Sequence, residues 1–216
     1  MKMKLIRAAL ALLLLLSLAA TAACGKQAPK KTTAVTTTLP PTTTAPLTEL
    51  YDRAEQPTDL VCISVEGYGD IVVELYPEEA PITVANFKKL VGQGFYTSST
   101  FHRVIYDFMI QGGISASGAR AETITGEFAQ NGHQNDLLHT RGVISMARTD
   151  APNSASSQFF IVQTAHADWL DGKYAAFGKV VYGMDTVDRI AAVGTDYFDE
   201  PLQAVTIREA FFVREK

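Results

Sequence analysis

From about residue 60 onward, turn signals cut the sequence into short β-rich runs, and this limits the fold more than any other feature. Leu60–Val65 and Ile71–Leu75 flank Glu66-Gly67-Tyr68-Gly69-Asp70, the pattern of a hairpin. Further runs stand at Thr100–Tyr106, Phe108–Gln111, Val143–Ala147, Phe159–Val162, Ala176–Val181 and Val205–Val213. Only two stretches carry helical spacing. One is Ile82, Ala85, Phe87, Leu90 and Val91, with Pro81 suited to the first turn and Gly92 or Gly94 to the stop. The other is Met184–Val193, with an apolar stripe at Val187, Ile190 and Ala191 and Gly194 after it. Many short strands with two isolated helices do not alternate as βαβ units. They predict an all-β fold, mainly strand with two helices, closed into a barrel.

The first quarter of the chain reads differently. Met1–Ala23 has Lys2, Lys4 and Arg7, an apolar stretch from Ala8 to Leu16, and small residues ahead of Cys24. The apolar run is too short for a membrane span, and the segment reads as an export leader rather than a fold element. It resembles a bacterial lipoprotein signal, which makes Cys24 the expected lipidation site. Thr21 stands where that signal more usually has Leu or Val, so ordinary secretory cleavage is the alternative. Two or more acyl chains would anchor the protein stably, each buried methylene contributing about 0.8 kcal/mol. The predicted location is therefore outside the cell's cytoplasm, lipid-anchored to the outer face of the cytoplasmic membrane.

Residues 24–58 form the next expected unit. Thr and Pro dominate "GKQAPKKTTAVTTTLPPTTTAPLT", which has no aromatic residue and too little apolar surface to offset backbone ordering. It reads as a disordered spacer; at about 3.1 Å per residue, some twenty residues would reach roughly 60 Å. The folded domain is expected over residues 59–216.

Charge and cysteine content narrow the function classes. Removing the leader takes away three basic residues and no acidic one, which carries the formal charge from −4 to −7. A mildly acidic chain without a Lys/Arg block argues against a nucleic-acid partner. Cys62 lies in an apolar strand and would have no disulfide partner once Cys24 is lipidated or removed, so the fold must stand on its core.

The chemistry concentrates in "FHRVIYDFMIQGG", Phe101 to Gly113, where Arg103 and Gln111 sit in an apolar run closed by two glycines. Strict alternation puts Phe101, Arg103 and Ile105 on one face and His102, Val104 and Tyr106 on the other. A tight turn at Tyr106-Asp107 then brings Met109 and Gln111 beside Arg103.

Together with "RGVISMARTDAPNSASSQFFIV" and "WLDGKYAAFGKV", this block resembles the three signature blocks of the cyclophilins, in the same order and at similar separations. The likeness runs from about Asp59 to Val213. It implies a peptidyl-prolyl cis-trans isomerase on an eight-stranded antiparallel β-barrel capped by two α-helices. Arg103 would be the catalytic guanidinium, with Gln111 binding substrate backbone and helping to hold Arg103. Phe108, Met109, Phe160 and Leu170 would line a proline pocket, Ala147, Arg148 and Gln158 would border the adjoining groove, and Trp169 would flank the pocket. Tyr174 stands where many relatives carry His. Tyr106-Asp107 replaces a Pro-Gly turn, and "GGISASGARAETITGEF" lacks a glycine-rich loop common in the family.

The chemistry agrees with the implied roles. Rotation about an X-Pro bond must break amide resonance across a barrier of about 18–20 kcal/mol. A guanidinium that donates to the prolyl nitrogen does so only when the amide is twisted and its lone pair localised, so it binds the transition state differentially. No proton transfer is required, and no cofactor or metal is expected. Partners would be X-Pro segments of unfolded or partly folded exported proteins, with the isomerase working as a monomer.

Other candidates read as structural. His102 points away from Arg103 by alternation, and His133, His139 and His166 lack metal-cluster spacing and suit solvated or turn positions. Ser145, Ser156 and Ser157 lack a nucleophile elbow. Asp168 and Asp171 have no second signal for glycosidase chemistry. The rival functions are a binding module or holdase using the same groove, and a surface adhesin or scaffold component.

Overall fold

The computed structural model describes residues 45–216; the expected leader, Cys24 and the spacer up to residue 44 lie outside the described residues. The chain forms α1 (Leu47–Leu50), β1 (Tyr51–Arg53), β2 (Leu60–Val65), β3 (Gly69–Leu75) and α2 (Pro81–Gly92). It continues through β4 (Thr100–Ile105), β5 (Met109–Ile114), β6 (Val143–Met146) and β7 (Phe159–Val162). The last elements are β8 (Ala176–Tyr182), α3 (Met184–Ala191) and β9 (Ile207–Glu215).

Regular structure is present ahead of the expected boundary at residue 59. β1 pairs antiparallel with the end of β9, Tyr51 opposite Glu215 and Arg53 opposite Val213. Leu47 and Tyr51 pack on a small apolar cluster of Cys62, Val72 and Val213, separate from the main core. The Arg53 guanidinium pairs with Glu209 at 2.8 Å and covers the Phe211 ring at 4.2 Å. The composition of the preceding Thr/Pro tract hides this short apolar segment, which becomes ordered because a strand edge is there to receive it.

The sheet has nine strands in the order β1-β9-β2-β3-β8-β6-β7-β5-β4, with every pair antiparallel. This corrects the expected closed eight-stranded barrel. β4 and β9 share no ladder: Thr100 makes an isolated bridge to Thr206, with Phe101 N donating to Val205 O and Ile207 N to Ser99 O. Beyond that point β4 meets a loop rather than a strand, and Val104 N donates to the Asp199 carbonyl. The loop covers the edge that a barrel strand would otherwise pair.

Inside the curled sheet, Phe87 of α2 meets Tyr96, Phe159 and Phe177 with ring centroids 5.2–5.6 Å apart. Each such aromatic pair contributes about 0.5–1.5 kcal/mol beyond the area it buries. α2 has no side-chain cap of its own at Ala80, and Pro81 opens it. Instead the buried carboxylate of Glu127 accepts from Ile82 N at 2.9 Å and Thr83 N at 2.7 Å. A distant acidic residue thus satisfies the orphan donors of the helix start and complements its dipole. α3 buries Thr186, Val187, Ile190 and Ala191.

Among the described residues no helix is long and apolar enough to cross a membrane, and no three His, Cys, Asp or Glu side chains are grouped to hold a metal ion.

Candidate active site

A bulge on β4 decides which side chains reach the surface cleft. Phe101 pairs with Gly112 and Arg103 with Gln111, so His102 is the extra residue between them. Phe101 and Val104 therefore both enter the main core, while Arg103 and Ile105 face outward. This overturns the simple alternation that put Phe101 beside Arg103. It also leaves His102 half-buried against the Gln158 amide and the Thr100 backbone, where loss of solvation lowers its pKa. The paired glycines serve the same strand. The Phe101 ring lies over Gly112, and Gly113 has φ +98° with Ser157 O only 2.5 Å from where a Cβ would stand.

The Tyr106-Asp107 turn forms with Asp107 at φ 55° and returns the chain into β5. Gln163 N donates to the Phe108 carbonyl at 2.7 Å, which fixes Phe108 at the rim. A second apolar cluster, outside the main core, contains Met109, Val143, Phe160, Val162, Ala167, Leu170 and Ala176. Phe159 and Phe160 point to opposite sides, Phe159 into the main core and Phe160 into this cluster.

Around this cluster lies a cavity of about 480 Å³, lined by Arg103, Phe108, Met109, Gln111, Ala147, Arg148, Phe160, Trp169, Leu170 and Tyr174. These are ten of the eleven groove residues expected from sequence. The eleventh, Gln158, stands one hydrogen bond back and accepts from the Gln111 amide at 3.0 Å. The Trp169 ring, half exposed, lies 5.4 Å from that of Phe108, and the Tyr174 ring meets Phe160 edge-on at 5.9 Å. Cys24, the remaining expected site, lies outside the described residues.

The two guanidiniums are held differently. Arg148 lies over the Phe128 and Tyr174 rings at 4.9 and 4.7 Å and donates to the carbonyls of Lys173, Thr149 and Asp150. It is a fixed wall. Arg103 has one polar partner among the described residues, Asp199, whose Oδ2 accepts from Nε at 3.3 Å. Both side chains are about two-fifths exposed, so no buried carboxylate sequesters the cation. Gln111, expected to help hold Arg103, makes its side-chain bond to Gln158 instead, although the two residues are register partners.

Two features escaped the sequence. Asp199 lies 96 residues from Arg103, in a loop without a motif. The other is a buried brace beneath the pocket: His139 Nδ1 meets Asp171 Oδ1 at 2.9 Å and Nε2 meets Ser145 Oγ at 2.9 Å. The His139 ring also stacks on Phe160 at 6.0 Å. His139, expected in a solvated or turn position, is 1% exposed, and burial lowers its pKa against the pull of Asp171. Ser145 is fully buried, so its hydroxyl supports the pocket floor and does not open to the cleft. Asp171 also accepts from His139 N at 2.8 Å, tying this brace to the turn that carries Trp169 and Leu170.

The chain is similar to known proteins over most of the described residues. Residues 60–211 match the family model described as cyclophilin type peptidyl-prolyl cis-trans isomerase/CLD. A peptidyl-prolyl cis-trans isomerase-like 1 protein of Neurospora crassa is 44% identical over 150 residues, spanning 68% of this chain and 91% of its own. Peptidyl-prolyl cis-trans isomerase B of Escherichia coli is 43% identical over 137 residues, 60% of this chain and 82% of its own. The crystal structure of a cyclophilin-type isomerase from Cryptosporidium parvum superposes with a TM-score of 0.65 at 28% identity, covering 73% of this chain and 98% of that one. The family match over the folded domain, joined to the arginine-bearing apolar cleft, establishes that this chain belongs to the cyclophilin-type peptidyl-prolyl cis-trans isomerases.

Proposed function

We propose that this isomerase turns X-Pro bonds by donating a hydrogen bond from Arg103 to the prolyl nitrogen as the amide twists. The observation that carries the reading is the placement of Arg103 on the rim of an apolar cavity with both terminal nitrogens unengaged among the described residues. Met109, Phe160 and Leu170 give the proline ring a buried apolar seat, and Phe108 closes it against Trp169. With the ring held, rotation falls on the residues that precede proline. Gln111 presents its amide group along the path of the substrate backbone, while Ala147 and the fixed Arg148 bound the adjoining groove.

In the planar amide the nitrogen lone pair is delocalised and accepts poorly. In the twisted state it is localised, and a guanidinium at the edge of an apolar cavity meets it with little competition from water. The interaction therefore lowers the barrier more than it strengthens binding of either planar isomer. Arginine suits the place because it stays charged and offers a planar fork of donors.

The substrate class is an exposed X-Pro segment of an unfolded or partly folded chain. The leader-like Met1–Ala23, the cysteine that follows it and the Thr/Pro spacer support a lipid-anchored enzyme serving exported proteins, where slow proline steps limit folding. A protease-coupled assay on a prolyl peptide tests the reading. Wild type should accelerate exchange and Arg103→Ala should not; equal acceleration by both, or by neither, would leave a peptide-binding module instead.

A further inference from the structure

We infer that Asp199 is a positioning residue for Arg103, one that aims the guanidinium at the cleft; the inference rests on the isomerase mechanism proposed above. Asp199 reaches Arg103 from the Thr195–Pro201 loop, accepting from Nε at 3.3 Å, the long end of the hydrogen-bonding range. Engaging Nε fixes the plane of the guanidinium and leaves the opposite edge, Nη1 and Nη2, available to a ligand. A partially exposed arginine with four side-chain torsions otherwise samples many orientations, few of which point a donor at a proline nitrogen.

The loop is built to hold that carboxylate in place. The Asp199 carbonyl accepts from Val104 N at 2.8 Å, so the backbone next to Arg103 itself docks the loop. Asp196 Oδ1 accepts from both Phe198 N and Glu200 N, and a bridge between Thr195 and Pro201 closes the base. Asp199 adopts φ 64°, a left-handed conformation that glycine enters freely and other L-residues at a cost. Aspartate tolerates the region better than most residues, yet a turn alone would be served as well by glycine. The carboxylate is what glycine lacks, and its one side-chain partner among the described residues outside the backbone is Arg103.

This separates function from folding in a single substitution. Asp199→Gly removes the carboxylate while relieving the left-handed backbone, so thermal stability should stay at or above that of wild type. The isomerisation kcat/KM should fall about fivefold to tenfold, carried by kcat with KM close to wild type. Asp199→Asn, which keeps an acceptor and loses the charge, should lie between the two. In an Arg103→Ala background, Asp199→Gly should change nothing further, and the Arg103 Nε–H nuclear magnetic resonance signal should lose its exchange protection in Asp199→Gly. Wild-type kcat/KM in Asp199→Gly, with Arg103→Ala inactive, would overturn this inference alone, as would an equal loss in both backgrounds. An Arg103→Ala protein as active as wild type would overturn the mechanism and this inference together.

Discussion

The Gln111 side-chain amide donates to the Gln158 side-chain oxygen at 3.0 Å, joining β5 to the segment that leads into β7 along the polar edge of the cleft. Under the proposed mechanism Gln111 meets a substrate with its amide orientation already chosen by Gln158. Replacing Gln158 by alanine should reduce kcat/KM about threefold to tenfold, in keeping with roughly 1 kcal/mol for one such bond. Gln111→Ala should make the loss from Gln158→Ala disappear, because residues that act through one bond are not additive. Steady-state kinetics on the two single variants and the double variant provide the check. Additive losses would show that the pair works independently.

Glu127 caps α2 from a distance, and that cap is a stability statement. Glu127→Ala leaves the buried Thr83 N–H and the part-buried Ile82 N–H without this acceptor and should cost about 2–3 kcal/mol, the range for hydrogen bonds to a charged group. For a domain of this size, that lowers the melting temperature by about 5–10 °C. Urea unfolding and calorimetry would show it; an unchanged midpoint would mean the helix start finds another partner.

His139 sets a pH dependence whose sign follows from its burial. Its pKa is lowered in the folded state, chiefly by desolvation, whereas the unfolded chain takes up a proton near the ordinary value of about 6.5. Just below that value the unfolded state binds more protons, so stability falls as pH drops and levels off once the folded histidine also titrates. His102 is lowered for the same reason and adds to the slope. Denaturant unfolding at pH 8 and pH 5.5 should show the decline, and His139→Gln should flatten it. An identical slope in the variant would remove His139 from the account.

Trp169 is the chain's only tryptophan and stands half exposed beside Phe108 at the cavity rim. A prolyl peptide entering the cavity should shift its fluorescence saturably. Phe160→Ala, which empties the pocket floor, should weaken that titration by about tenfold or more. A peptide that is isomerised without any change in Trp169 emission would place the working cleft elsewhere.

Local pattern made most strands and both longer helices legible, because apolar runs bounded by Gly and Pro carry their own period. The β4 bulge was not: "FHRVI" alternates well enough on paper, and only the pairing of Arg103 with Gln111 across β5 shows that His102 is the extra residue. β1 was hidden by the Thr/Pro tract before it, since a three-residue strand has no period and exists only because β9 offers an edge. Of the cleft, the residues inside the three blocks were readable together, but the partners that orient them were not. Asp199 and the His139–Asp171–Ser145 brace are contacts between distant segments, and no spacing rule within one segment encodes them.

The most direct test of the central claim is to measure ground-state affinity and catalysed exchange on the same prolyl peptide, for wild type and Arg103→Ala. Magnetisation-exchange spectroscopy supplies the rate and titration supplies the affinity. The account predicts that Arg103→Ala binds the peptide within about threefold of wild type while its exchange rate falls about 10²–10³-fold, corresponding to roughly 2.7–4 kcal/mol of transition-state stabilisation. A fall in affinity that matches the fall in rate would contradict it, because the guanidinium would then hold the planar amide as strongly as the twisted one.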